Sequence, residues 1–228
     1  AAGRTGMGAV MGSKKLKAIV FNGTRTRTYA HPEDLARFVR EIKERSKDDK
    51  AVHAYKTLGT PMMVDVMNKA GAFPTQYWSK GQFDKRESIN AAAMQEKCTV
   101  RPHACLRCMM ACGKLSTVKS GPHAGLTIEG PEYETLYAFG GLCMIDEIEE
   151  IAYLNDLCDR LGMDTITAGN LCAFAIEAAR RGKIKDKLEV QREYRDGDGK
   201  VVEEATIGDE LFVHIKVRAI EDEGLENI

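Results

Sequence analysis

The chain has 228 residues, 43% hydrophobic and 29% charged, proportions that suit a folded protein with a sizeable core in one or two domains. Lys and Arg number 33 against 34 Asp and Glu, so the overall balance recruits neither nucleic acid nor an anionic membrane. No apolar run approaches the roughly 20 residues of a membrane span, and no signal peptide opens the chain.

The opening "AAGRTGMGAVMGSKK" has no initiator Met, and "EDEGLENI" ends without a closing element. Both read as the interior of a longer protein. Gly3, Gly6, Gly8 and Gly12 surround Arg4. Glycines let backbone amides approach a phosphate and Arg adds a bidentate donor, although taken alone such a stretch is ordinarily a tight turn leading into a strand. The basic run Lys14, Lys15, Lys17, Arg25 and Arg27 lacks interleaved aromatics and carries no nucleic-acid signal.

"KLKAIVFNG" (Lys15 to Gly23) is short, apolar and β-rich, and predicts a strand. "HPEDLARFVREIKERSKDD" places Leu35, Phe38, Val39 and Ile42 at helical spacing behind Pro32, Glu33 and Asp34, and predicts an amphipathic helix. "TPMMVDVMNKAG" predicts a short helix capped by Thr60 and ended by Gly71. An irregular stretch follows from Ala72 into "RPHACLRCMMACGK". "MIDEIEEIAYLNDLCDRLG" predicts a half-exposed helix stopped at Gly162, and "TITAGNLCAFAIEAARRG" a buried one stopped at Gly182. After about Lys187 a DGDG turn and the alternation Leu211, Val213, Ile215, Val217 predict strands. The expected fold is therefore mainly α, preceded by a short β segment closing a first domain and followed by a β-rich tail. The expected domains are 1–28, 29–186 and 187–228.

Cys105, Cys108 and Cys112 fall within eight positions with the spacing C-x2-C-x3-C. Thiolate is the ligand form, and three close thiols with a distant fourth suit an iron–sulfur cluster. Two alternatives remain: a zinc site completed by Cys98 or His103, or buried thiols without metal. Cys98, Cys143, Cys158 and Cys172 are dispersed among helical apolar positions, where cysteine acts as a small hydrophobe. With no secretory signal, a reducing cytoplasmic setting is expected.

The cysteine run, the opening glycine-rich stretch, "GPEYETLYAFG" from Gly130 and "LCDRLGMDTITAGN" from Leu157 together resemble the tungsten-dependent aldehyde:ferredoxin oxidoreductase family, in order and over roughly residues 1 to 185. The resemblance implies a [4Fe–4S] cluster on Cys105, Cys108 and Cys112, with a fourth cysteine further downstream than this chain reaches. It implies a tungsten (or molybdenum) bis-pterin held by Arg4, the backbone at Thr5, and the "DRLGMD" residues Asp159, Gly162, Met163 and Asp164, with magnesium at the phosphates. Met163 stands where the family usually has Leu, a volume-conserving exchange. Glu134 aligns with the family's active-site glutamate, and Glu132 is the second candidate. On their own, those acids also suit a helix's first turn, and "DRLGMD" also suits a helix stop followed by an N-cap.

The implied activity is oxidation of aldehydes to carboxylic acids, with ferredoxin as electron acceptor and the rest of the enzyme as partner. A homo-oligomer is left open, and the isolated chain is expected to be inactive. Two other readings are a reductase of aromatic thioester rings from the same family, and a zinc-stapled or structural helical interaction domain. The tail after Lys187 departs from the family and loosely resembles a β module of bacterial macroglobulin-like inhibitors.

Overall fold

The computed structural model describes residues 7–26, 28–183, 188–195 and 212–219; within the last two segments and at Ala9 only the backbone is described. Contacts divide the chain into two units, Ala1–Phe174 and Ala175–Ile228. No helix among the described residues is long and apolar enough to cross a membrane.

The first unit is mainly helical, as the sequence pattern indicates, around a small antiparallel sheet that it does not indicate. It opens with α1 (Met7–Ser13), which takes in Gly8 and Gly12. The strand expected over Lys15 to Gly23 is absent, and this stretch has no regular structure. A strand exists only when paired, and no described strand lies beside it. Val20 and Phe21 are accordingly 88% and 89% exposed.

Helix α2 (Pro32–Arg45) has the expected proline start, with Glu33 and Asp34 in its first turn. Its stripe of Leu35, Phe38 and Val39 is exposed. Helix α3 (Lys50–Leu58), not anticipated, is capped by Asp49, whose carboxylate accepts from the Val52 N–H at 2.9 Å. A 3₁₀ turn (Thr60–Met62) runs into α4 (Met63–Lys69). Gly71, at φ 71°, ends it as expected, its N–H returning to the Asn68 carbonyl. Thr60 is not the cap: Gly59 occupies that position, and the Thr60 hydroxyl bonds elsewhere.

The stretch expected to be irregular contains α5 (Ala91–Lys97), capped by Asn90, and then β1 (Cys98–His103). β1 pairs with β2 (Gly113–Val118), which pairs with β3 (Thr127–Glu129), giving an antiparallel sheet in the order β1-β2-β3. These strands escaped prediction because polar side chains interrupt their alternation. Lys114 and Ser116 occupy two of the three buried positions of β2.

Next come one turn of helix, α6 (Tyr133–Thr135), and a π-helical turn, Leu136–Leu142. The main core joins Phe73, Phe83, Ile89 and Met94 to Leu136, Phe139, Leu142, Ile148 and Ile151. Helix α7 (Ile148–Leu161) buries Ile148, Ile151, Ala152, Asn155 and Cys158, and stops at Gly162 in the left-handed conformation. Helix α8 (Thr165–Arg180) was expected to be buried but is one-sided. Gly169 and Ala173 face inward while Leu171, Cys172 and Phe174 are exposed. Gly169 permits close packing: a Cβ there would stand 2.7 Å from the Ala138 backbone. Cys172 therefore departs from the expectation of a packed thiol, whereas Cys98, Cys143 and Cys158 meet it.

In the second unit β4 (Leu188–Arg195) pairs antiparallel with β5 (Phe212–Ala219). The DGDG turn expected between them lies outside the described residues.

Candidate functional site

Two features carry chemistry: the loop at the tip of the β1–β2 hairpin and a cleft beside the end of α7.

The hairpin register places His103 opposite Gly113, so residues 104–112, with all three clustered cysteines, form one loop closed by a paired stem. Within it the Cys108 N–H donates to the Cys105 carbonyl at 2.9 Å. Arg107 and Ala111 take positive φ of 63° and 49°, an uncommon conformation for side-chain-bearing residues. Cys105 and Cys108 are exposed and Cys112 is half-buried. Ser46, at the end of α2, donates to the Met109 sulfur at 2.9 Å.

Below the loop lies Lys114, only 1% exposed. Its ammonium donates to the carbonyls of Ala111 (3.0 Å), Cys112 (2.8 Å), Gly113 (3.2 Å) and Tyr55 (3.1 Å), fastening the loop's returning leg to α3. Burial pushes its pKa down, while the charges of Glu132 and Cys112 oppose that shift.

The loop presents its thiols without converging them. Among the described residues no three of His, Cys, Asp and Glu stand close enough to share one metal ion. The donor set still suits an iron–sulfur cluster: three soft thiols on a stemmed loop, two open to approach, over a buried cation whose described partners are carbonyls. Cys98 belongs to no such set. It is opposite Val118 at the far end of the hairpin, about 17 Å along the strand from the loop, and is 1% exposed. His103 stays at the loop's root, its ring 3.4 Å from the Glu129 carboxylate.

The cleft, of about 280 Å³, is lined by Glu129, Glu132, Asn155, Asp159, Met163, Asp164 and Thr165. Four residues singled out from sequence meet there: Glu132, Asp159, Met163 and Asp164. The α7 stop explains part of this. Gly162 turns the chain, with its N–H and that of Met163 returning to the Asp159 and Cys158 carbonyls at 3.2 and 2.8 Å. Asp164 then caps α8, accepting from the Thr167 N–H and hydroxyl, both at 2.9 Å. The helix-stop and N-cap roles of "DRLGMD" are thus real, and the same turn brings Asp159, Met163 and Asp164 to the cleft.

Asn155 orients this wall. It is buried, donates to the Asp159 carboxylate at 2.9 Å and accepts from the Thr135 hydroxyl at 3.3 Å. The Thr135 hydroxyl also lies 2.9 Å from that of Thr165. Loss of water pushes the Asp159 carboxyl above its ordinary range. Burial does the same to Glu132, opposed by the Thr60 hydroxyl that donates to it. Among the described residues four carboxylates and no cation line the cleft, an acceptor-rich surface that suits a ligand face carrying N–H donors, as a pterin's is.

Glu134 is half-buried on α6 and does not line the cleft; its charge acts on Glu132 across space. Arg4 and Thr5 lie outside the described residues. Lys114, Asn155, Thr60 and Glu129 were not foreseen. A signal existed for Asn155, the lone amide in the helical stripe Ile148, Ile151, Asn155, Cys158. None existed for Lys114, whose burial depends on the register of an unrecognised strand.

The loop and the cleft adjoin. A Cβ on Gly113, the first residue after the loop, would stand 3.7 Å from a Glu129 carboxylate oxygen and 3.9 Å from one of Glu132.

Residues 37–207 match the family described as aldehyde ferredoxin oxidoreductase, domains 2 and 3, a match that runs past the change of pattern near residue 187. The chain is 37% identical over 188 residues to the tungsten-containing aldehyde ferredoxin oxidoreductase of Pyrococcus furiosus, covering 82% of this chain and 30% of that protein. It is 36% identical over 187 residues to the protein of the same description from Thermococcus kodakarensis, with the same coverage. It is also 30% identical over 202 residues to the aliphatic sulfonate oxidoreductase, WOR-like subunit, of Pyrococcus furiosus, covering 88% of this chain and 32% of that protein. The chain thus spans about a third of the length of these relatives. It belongs to the aldehyde ferredoxin oxidoreductase family.

Proposed function

We propose that this chain is the central part of a tungsten bis-pterin, [4Fe–4S] oxidoreductase that oxidises aldehydes to carboxylic acids and delivers the electrons to ferredoxin. The observation that carries the reading is that a three-cysteine loop, at Gly113, lies beside two carboxylates of an acceptor-lined cleft. That nearness supports the reading, because an electron relay needs a cluster and a pterin held close to one another.

Cys105, Cys108 and Cys112 supply three thiolates to the cluster, and a fourth ligand comes from sequence beyond this chain. Asp159 and Asp164 accept hydrogen bonds from pterin N–H groups, with Gly162 shaping the turn and Met163 packing at the wall. Arg4 and the Thr5 backbone meet the pterin phosphates with magnesium. When bound, the tungsten pterin supplies the two-electron oxidation of the aldehyde, and the cluster relays the electrons. Glu134 orients the substrate carbonyl or its hydrate, or moves a proton, and Glu132 is the second candidate for that role. Residues 1–28 complete an N-terminal pterin domain, 29–186 form the helical domain, and 187–228 a β-rich tail. The enzyme works in a reducing cytoplasm.

The test is metal and activity analysis of the whole enzyme, purified without oxygen. Tungsten, iron, acid-labile sulfide and aldehyde-dependent ferredoxin reduction together support the reading. Zinc alone supports a staple, and absence of all four rejects the proposal. The isolated chain is expected to be inactive.

A second reading changes the substrate. A relative named as an aliphatic sulfonate oxidoreductase subunit matches more of this chain than the aldehyde enzymes do, though less closely. These residues therefore suit a cofactor scaffold used on more than one substrate class, reduction of aromatic thioester rings included. Turnover with a panel of aldehydes, sulfonates and aromatic thioesters separates them.

A further inference from the structure

Lys114 is a charged side chain buried to 1% exposure with four backbone carbonyls around its ammonium. Among the described residues no carboxylate forms an ion pair with it, and Glu132 acts on it only across space. Carbonyl dipoles solvate an ammonium but leave its charge uncancelled, and an unpaired buried charge is costly unless an anion is close. Three of those carbonyls belong to Ala111, Cys112 and Gly113, so the charge sits directly under the cysteine loop.

A cluster held by thiolates is that anion. Its core carries less positive charge than its four thiolates carry negative, and each electron it accepts makes the whole more negative. A fixed cation beneath it therefore favours the reduced form. We propose that Lys114 is a positioning residue for the cluster, clamping the loop's returning leg and supplying the counter-charge that raises the cluster's reduction potential. The proposal rests on Cys105, Cys108 and Cys112 holding a cluster. A purely structural role, tying the loop to α3 through Tyr55, predicts loss of stability with no change in potential.

The test uses the whole enzyme with Lys114→Gln, Lys114→Met and Lys114→Arg. Iron and sulfide are measured first, then the cluster potential by titration followed with electron paramagnetic resonance. In the neutral variants that keep the cluster, the reduced-to-oxidised ratio at fixed potential is expected to fall about tenfold. That corresponds to a downshift of about 59 mV for a one-electron couple. Lys114→Arg is expected to hold the wild-type value. If both neutral variants lose the cluster while the arginine variant keeps it, the charge requirement stands. An unshifted potential in a fully loaded neutral variant overturns the proposal, as does loss of the cluster from all three. A wild-type enzyme without iron and sulfide overturns the cluster reading itself.

Discussion

Thr60 and Glu132, 72 positions apart, are joined by a hydrogen bond from the threonine hydroxyl to the carboxylate, and the same hydroxyl accepts from the Tyr133 N–H at 3.0 Å. One side chain thus ties the turn before α4 to the first residue of α6 and fixes an acid of the cleft. Replacing Thr60 by Val removes both bonds and leaves a part-buried N–H without its partner. The expected cost is about 1–3 kcal/mol, read as a lower denaturant midpoint with unchanged slope, and Ser at this position restores most of it.

Glu132 gives stability a definite pH dependence. Its pKa is raised above the ordinary 4.5, chiefly by burial, so the native state binds its proton more tightly than the unfolded chain does. The stabilising contribution is full below about pH 4.5 and is lost as pH rises through the raised native value. Denaturant midpoints measured across that range are expected to fall less steeply in Glu132→Gln than in the wild type. A Thr60→Val background is expected to push the fall to higher pH, since the hydroxyl lowers this pKa.

The loop cysteines and the packed cysteines can be told apart by chemistry. Cys105→Ser or Cys112→Ser is expected to reduce iron and sulfide in the whole enzyme severely. Cys143 is buried, donates weakly to the Ala138 and Gly169 carbonyls at 3.5 and 3.3 Å, and has its thiol pushed up to about 12 by burial. Cys143→Ala is expected to leave iron content unchanged and to cost stability through the cavity it opens.

Gly169→Ala tests the closest packing on α8. The added methyl would meet the backbone carbon of Ala138 at 2.7 Å, a contact no side-chain rotation relieves. The expected destabilisation is about 1–3 kcal/mol or more, visible as a lowered melting temperature.

Asn155→Leu tests the cleft wall. It frees the Asp159 carboxylate and the Thr135 hydroxyl from a shared partner. Pterin content of the purified enzyme is expected to drop by at least tenfold while iron content holds, because Asn155 has no described bond to the cysteine loop.

Local grammar marked α2, α7 and α8 clearly, because proline starts and glycine stops depend on neighbouring residues alone. It also marked the cysteine spacing and the "DRLGMD" turn. The sheet was hidden for a physical reason: β2 places Lys114 and Ser116 inward, so its pattern inverts the usual apolar alternation. The expected strand from Lys15 had suitable residues but no partner among the described strands. Thr60 stands at the start of its helical stretch as a cap would, yet its hydroxyl serves a segment far along the chain. Such long-range choices leave no trace in a short window.

His103 facing Gly113 has one last consequence. Nine residues leave the sheet and return through a single neck, so they form a cassette whose interior can be rewritten while the scaffold stays folded. A descendant that changes what this loop carries, or an engineer grafting a chelator onto it, need alter little beyond that cassette and the lysine under it.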